Sequence, residues 1–158
     1  MPTSHRLRTP RLLLVPAAET DVSALARHWA HRQVRRFLWD DHPVGVGTVR
    51  EVVAASERTF ARAGYGIWTV RHPPHGGIVG SCGLRETAEG EVELLHSLDP
   101  DVWGRGLATE AARAVLDHAQ CIGRVVAYTD PGNVASERVV ARLGMTRCQT
   151  GGTSGMTW

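Results

Sequence analysis

Residues Trp103-Gly104-Arg105-Gly106-Leu107-Ala108, followed by Thr109-Glu110-Ala111, decide how the rest of this chain is read. They lie between Glu91 to Leu98, which alternates like a strand, and Leu107 to Gln120, where apolar residues recur like one face of a helix. The stretch is therefore read as a strand-to-helix turn. Its two glycines let the backbone come close to a ligand. The first N–H groups of the following helix have no partner within it and point into the turn. With the positive end of the helix dipole added, the turn suits a phosphate or pyrophosphate.

Working outward, Leu107, Ala111 and Val115 with Ala108, Ala112, Leu116 and Ala119 form the clearest helical stripe in the chain. Before it, Tyr65 to Arg71, the loop His72 to Gly77, Ile78 to Arg85, the turn Glu86 to Gly90 and Glu91 to Leu98 read as an antiparallel meander, three strands joined by hairpins. After it come a short strand, Arg124 to Thr129, the turn Asp130 to Asn133 and a helix from Val134 to Leu143. Asn133 caps that helix and Gly144 closes it. Met145 to Gln149 and Ser154 to Trp158 read as final strands.

Upstream, Arg11 to Val15 is a first strand between two prolines, and Ala17 to Trp29 is a helix capped by Thr20 or Asp21. A short helical piece carries Val34, Phe37 and Leu38, and Asp40 to Gly47 is a loop. Thr48 then caps a helix with Val49, Val52, Val53 and Phe60 on one face, ended by Gly64. The order describes an α+β fold, a mostly antiparallel sheet covered by helices, in a single domain over residues 1–158. No internal repeat appears.

The totals narrow the function. A chain of 158 residues, 42% apolar and 22% charged, is an ordinary globular domain. A formal charge of +2 with scattered basic residues gives no nucleic-acid footprint, and no apolar run is long enough for a membrane span. A cytoplasmic protein is expected. Cys82, Cys121 and Cys148 match neither a disulfide framework nor a metal site and are read as reduced thiols. The pairs His28 with His31 and His72 with His75 lack cysteine or carboxylate partners at ligand spacing, so no metal is expected. A dinucleotide fold is excluded because Thr109 stands where its third glycine belongs and a meander, not a βαβ unit, precedes the turn.

From about Gly66 to Met145 the chain resembles a GNAT-family N-acetyltransferase, most closely its ribosomal-protein N-acetyltransferase (Rim-type) branch. The acyl-CoA signature of that family, Gln or Arg, two residues, Gly, one residue, then Gly or Ala, falls on Trp103, Gly106 and Ala108, with Trp in the first place. The second signature falls on Asn133-Val134-Ala135-Ser136 and Leu143-Gly144-Met145. Thr9-Pro10-Arg11-Leu12-Leu13-Leu14 and Val34-Arg35-Arg36-Phe37-Leu38 are similar to the Rim-type branch as well. The resemblance implies acetyl-CoA, held by Leu98, Val102, Trp103, Gly104, Arg105, Gly106, Leu107, Ala108, Thr109, Asn133 and Ser136. It further implies that the strand Arg124 to Thr129 splays from the strand Glu91 to Leu98, helped by a bulge near Leu95 or His96, and that a backbone N–H there polarises the thioester carbonyl.

An amine acceptor must lose a proton, since a free lysine amine has a pKa near 10 and an α-amine near 8. Glu93 is the first candidate base and His96 the second. Three apart on a strand, they project to opposite faces. The family's thiolate-protonating tyrosine aligns with Val140, so Ser136 is the candidate to meet the sulfur. Trp39 and Asp41 fall in the loop that lines acceptor sites in related folds. The expected reaction is direct acetyl transfer to a primary amine, on a protein N-terminus or a small molecule; the competing reading is a catalytically silent acyl-CoA-binding module. A homodimer through the last strands is expected. Family members usually have a longer final strand, which leaves open whether the C-terminus is complete.

Overall fold

A computed structural model describes residues 5–129, 132–150 and 153–157. The sheet is mixed and eight-stranded: β1 (Leu7–Arg8), β2 (Leu13–Pro16), β3 (Ile67–Arg71), β4 (Ile78–Glu86), β5 (Val92–Leu98), β6 (Val125–Ala127), β7 (Thr146–Thr150) and β8 (Thr153–Thr157), in the order β1-β2-β3-β4-β5-β6-β8-β7. Every neighbouring pair is antiparallel except β5 and β6. The helices are α1 (Val22–Ala30), α2 (Arg32–Leu38), α3 (Val46–Ala63), α4 (Leu107–His118) and α5 (Val134–Arg142).

Strand alternation divides the apolar residues between two cores. Trp68 and Val70 of β3, Cys82 and Leu84 of β4, and Leu94 and Leu98 of β5 pack with Leu107, Ala111 and Val115 of α4 and with Val139 and Val140 of α5. Ile67, on the other face, packs with Leu25 and Trp29 of α1 and Val49 and Val53 of α3. The meander is continuous, with β4 and β5 in register from Gly80↔Leu98 to Glu86↔Val92.

That register removes the bulge expected near Leu95 or His96; the one irregularity in the meander is between Val70 and Arg71, on the β3–β4 side. The splay arises differently. β6 is only three residues long and pairs with β5 at Val92↔Val125 and Glu93↔Val126 alone. From Leu94 onward the edge of β5 is uncovered.

Several boundaries differ from the sequence reading. The first strand begins at Leu13 instead of Arg11 and is preceded by the two-residue β1, too short to show a period. α3 starts at Val46, two residues before the expected cap Thr48, with Gly45 as its N-cap and Gly45 O accepting from Val49 N at 3.1 Å. Neither Thr20 nor Asp21 caps α1 with its side chain. Asp21 instead accepts from Ala18 N at 2.9 Å and from Arg71 at 3.1 Å, tying the helix approach to β3. α4 ends at His118, with a 3-10 turn over Gln120–Ile122. The expected turn residues Asp130 and Pro131 and the terminal Trp158 lie outside the described residues.

Candidate active site

The glycine turn leads into α4 as expected. Gly104 and Gly106 have φ of 77° and 75°, left-handed values that a side chain disfavours. The first bond closed within α4 runs from Glu110 N to Gly106 O at 3.1 Å. The N–H groups of Leu107, Ala108 and Thr109 precede it and have no helical acceptor. Thr109 Oγ1 is buried with no partner among the described residues. An unsatisfied hydroxyl beside three free N–H donors fits the oxygens of a phosphorylated ligand. Trp103, in the place of the family's Gln or Arg, donates its indole N–H to Leu98 O at 2.7 Å and fastens the turn to the end of β5.

The turn is also braced from the N-terminus, which explains the Thr9-Pro10-Arg11 motif. Glu110 accepts from Thr9 Oγ1 at 2.5 Å, from Arg11 N at 2.9 Å and from Arg11 Nε at 2.7 Å. Arg11 Nη1 donates onward to Arg105 O at 2.8 Å, inside the turn. Burial raises the Glu110 pKa, but the bonds from Thr9 and Arg11 outweigh it and hold the group below its ordinary value of 4.5. A carboxyl with a depressed folded value contributes stability that is complete above the unfolded pKa and is lost as the pH falls through the folded one. Two results are expected: Arg11→Ala weakens CoA binding with little effect on an acceptor's KM, and wild-type CoA affinity declines in acid below the ordinary carboxylate range. Titration calorimetry of CoA against pH checks both. An affinity flat in acid and unchanged in Arg11→Ala refutes the brace.

The turn opens into a cleft of about 790 Å³. One wall is the uncovered edge of β5. Asp99 N donates to Val79 O at 2.7 Å, continuing the ladder to β4. Alternation along an antiparallel pair then directs the backbone groups of Leu94, His96 and Leu98 the other way, into the gap. The opposite wall is Ala127, Tyr128 and Gly132 to Ser136, where Asn133 Oδ1 caps α5 by accepting from Ser136 N at 3.1 Å. α2 supplies Gln33, Val34, Arg36, Phe37 and Leu38 across the mouth, with Asp40 just beyond.

Of the cofactor residues expected from sequence, Leu98, Val102, Trp103, Gly104, Gly106, Leu107, Ala108, Thr109, Asn133 and Ser136 all line this cleft. Arg105 does not; its carbonyl anchors Arg11. Glu93 and His96 also line it and face opposite sides of the sheet. Glu93 is buried, and its Oε2 accepts from Arg85 Nε at 3.0 Å. Burial pushes the His96 pKa down to about 4, so the ring is neutral at physiological pH. Its Nε2 stands 3.4 Å from Ser136 Oγ. The structure thus joins two candidates that the sequence named separately, on β5 and α5.

Trp39 and Asp41 stand apart from the cleft lining. Trp39 packs on Trp29, ring centroids 5.4 Å apart, and Asp41 Oδ1 accepts from Arg35 Nε at 3.2 Å. Asp40 and Phe37 line the cleft instead. The sequence reading missed Tyr128, whose hydroxyl donates to Glu91 and which lines both the cleft and an adjoining hollow of about 460 Å³. Its only sequence signal was an aromatic residue at a strand end. Among the described residues no group of three or more His, Cys, Asp or Glu side chains is placed to hold a metal ion. Cys82 is buried, which drives its thiol pKa up to about 12, while Cys121 is exposed.

An N–H-rich turn at one end of a gap between parallel strands defines a site for an extended, phosphate-bearing ligand. The family model described as "Acetyltransferase (GNAT) domain" matches residues 11–146, and the chain belongs to the GNAT acetyltransferase family, whose members use acetyl-CoA. A relative from Bacillus subtilis (strain 168), "Uncharacterized protein YkkB", is 34% identical over 107 residues; the match spans 64% of this chain and 62% of the relative's length. An acetyltransferase structure from Agrobacterium tumefaciens C58 superposes with a TM-score of 0.83 at 25% identity, covering 97% of this chain and 93% of the other. A RimL ribosomal L7/L12 α-N-protein acetyltransferase in complex with coenzyme A shares the fold, with a TM-score of 0.77, 17% identity and 97% coverage of both chains. No helix among the described residues is long and apolar enough to cross a membrane.

Proposed function

We propose that this protein transfers the acetyl group of acetyl-CoA directly to a primary amine, the α-amine of a polypeptide or a small molecule. The observation that carries the reading is the gap that opens between β5 and β6 beyond Glu93 and ends at the N–H groups of the α4 turn. The Rim-type sequence motifs and the shared fold of the RimL structure support a polypeptide acceptor. An aqueous, cytoplasmic site of action and a homodimer through the last strands belong to the same reading.

In this reading the N–H groups of residues 104–109 and Thr109 Oγ1 hold the pyrophosphate. The backbone of Leu94, His96 and Leu98 accompanies the pantetheine arm, and a β5 N–H polarises the carbonyl oxygen. When bound, acetyl-CoA supplies a thioester carbon open to attack by a neutral amine. Ser136 donates a hydrogen bond to the sulfur as it gains charge, and neutral His96 orients that hydroxyl through its Nε2. Glu93, with one oxygen bonded by Arg85, presents the other to the incoming ammonium. In the adjoining hollow Glu86 and Glu93 are paired with Arg62 and Arg85, which leaves Glu89 there and Asp40 at the cleft mouth as the carboxylates that support a cationic acceptor.

The test is thiol release from acetyl-CoA in the presence of a panel of amines and peptides with free N-termini, with the acetylated product identified by mass spectrometry. The chain contains no lysine, so self-acetylation is confined to its α-amine. Turnover on at least one amine is expected, and Ser136→Ala is expected to lower kcat about tenfold to a hundredfold. CoA binding without turnover on any amine, unaffected by Glu93→Gln or Ser136→Ala, identifies a silent acyl-CoA-binding module instead.

A further inference from the structure

Beneath the acceptor side of the sheet runs a chain of polar side chains that the reaction as described leaves without a task. Register places Thr69 opposite Ser81 and Ser81 opposite Ser97, a row of small polar residues crossing β3, β4 and β5 under α1. From α1, Trp29 Nε1 meets Ser81 Oγ at 3.1 Å, and Ser81 Oγ meets Ser97 Oγ at 2.8 Å. His28 Nε2 lies 2.9 Å from Ser97 Oγ, and His28 Nδ1 lies 2.5 Å from Asp99 Oδ1. His28 is 5% exposed, whereas the Asp99 side chain is 37% exposed.

For a resting relay with one proton on the His28 ring, the two ends set the direction of every hydrogen bond between them. An indole N–H can only donate and a carboxylate can only accept. Ser81 therefore accepts from Trp29 and donates to Ser97. Ser97 donates to His28 Nε2, and His28 carries its proton on Nδ1, donating to Asp99. This orders a serine hydroxyl, a neutral imidazole and a carboxylate as in an activated-serine triad. Ser97 spends one lone pair on Ser81, and the other remains free. Ser97 also lines the cleft, between His96 and Leu98.

We propose that Ser97, His28 and Asp99 form the proton relay that deprotonates the amine acceptor; this rests on the acetyl-transfer reading above. The ammonium gives a proton to the free lone pair of Ser97 Oγ while the Ser97 hydroxyl proton moves to His28 Nε2. The imidazolium so formed is stabilised by Asp99. The neutral amine attacks the thioester carbon, its C–N bond forming as the C–S bond breaks. The proton stored on His28 returns through Ser97 to the cleft, where the CoA thiolate takes it up as the thiol. The nitrogen sheds its second proton to the water of the cleft as the amide forms, so an ammonium and a thioester give an amide, a thiol and one proton released to solvent. This assigns the base to a group other than Glu93, which is bonded to Arg85, or His96, whose pKa near 4 makes it a weak acceptor.

Glutamine at position 28 separates a relay from a structural strut. Its amide oxygen can accept from Ser97 and its amide nitrogen can donate to Asp99, so both hydrogen bonds survive, but it cannot take up a proton. His28→Gln is expected to fold, to bind CoA like the wild type and to keep the acceptor KM, while kcat on the best amine of the panel falls about 100-fold or more. Ser97→Ala should fall similarly, with Ser97→Thr recovering most of the loss. Asp99→Asn, at a half-exposed position that tolerates change, is the second variant should glutamine prove unstable, and is expected to lose kcat by misorienting the ring. Turnover close to wild type in His28→Gln, or in a folded Asp99→Asn, overturns the relay while leaving acetyl transfer intact. A wild-type protein that acetylates no amine overturns the acetyl-transfer reading itself.

Discussion

Gly106→Val is expected to leave a folded protein that has lost measurable affinity for CoA. Gly106 is the N-cap of α4 with φ 75°. A Cβ there meets nothing closer than Arg11 Nη2 at 3.7 Å, so conformation, not space, is the obstacle. A non-glycine residue in the left-handed region costs about 1–2 kcal/mol, and a β-branched one is a genuine outlier. The backbone relieves that strain by rotating, which turns the donors of Leu107 and Ala108 away from their common focus. Losing two hydrogen bonds to a charged partner, at roughly 1.5–3 kcal/mol each, weakens binding about 100-fold or more. Gly64→Val is the control. Gly64 ends α3 with φ 80°, remote from the cleft lining, and should lower stability while CoA affinity holds. Equal CoA affinity in Gly106→Val and wild type, measured by calorimetry, contradicts the cradle.

Trp68→Ala is expected to have the largest effect on stability. Trp68 is fully buried at the centre of the larger core. Its indole N–H donates to His5 O at 2.6 Å, and its ring meets Phe60 edge-on at 4.7 Å and His118 at 5.5 Å. Truncation leaves a cavity and an unpaired carbonyl together, so a loss of about 3–5 kcal/mol is expected. That is a large share of the roughly 5–15 kcal/mol that holds a domain folded. Urea denaturation measures it. A loss below about 1 kcal/mol, the centre of the range for ordinary substitutions, shows that the core is not organised around this ring.

What could be read from sequence follows the range of the interactions. The meander, the α4 stripe, the Asn133 cap and the closures at Gly64 and Gly144 are local patterns, each decided within a turn or a hairpin. The splay was anticipated through family resemblance, but its cause was not. A bulge on β5 was expected, whereas the gap follows from the brevity of β6, which tertiary packing decides and periodicity cannot show. The cleft mouth was legible only in part, because Asp40 and Phe37, not Asp41 and Trp39, reach the cleft once α2 is folded against the sheet.

The deepest gaps concern partners far apart in the chain. Arg11 and Glu110 are separated by 99 residues in the bond that braces the turn, and His28 and Asp99 by 71 in the proposed relay. Each of these residues is bland alone: a surface arginine, a helix-start glutamate, a histidine on an apolar helix, an aspartate before proline. His28 in particular stands out in sequence only as half of a pair with His31 that lacks ligand partners, whereas the fold gives it a serine and a carboxylate. His96 and Ser136 were named individually, and only the crossing of β5 and α5 brings them within 3.4 Å.

A crystal structure with CoA bound decides whether the α4 turn is the pyrophosphate cradle. It should show the pyrophosphate oxygens within hydrogen-bonding distance of the N–H groups of residues 104–109, the pantetheine along the open edge of β5 from Leu94 to Leu98, and the sulfur beside Ser136. CoA seated with its pyrophosphate away from the α4 turn, or its arm outside the gap between β5 and β6, would contradict it.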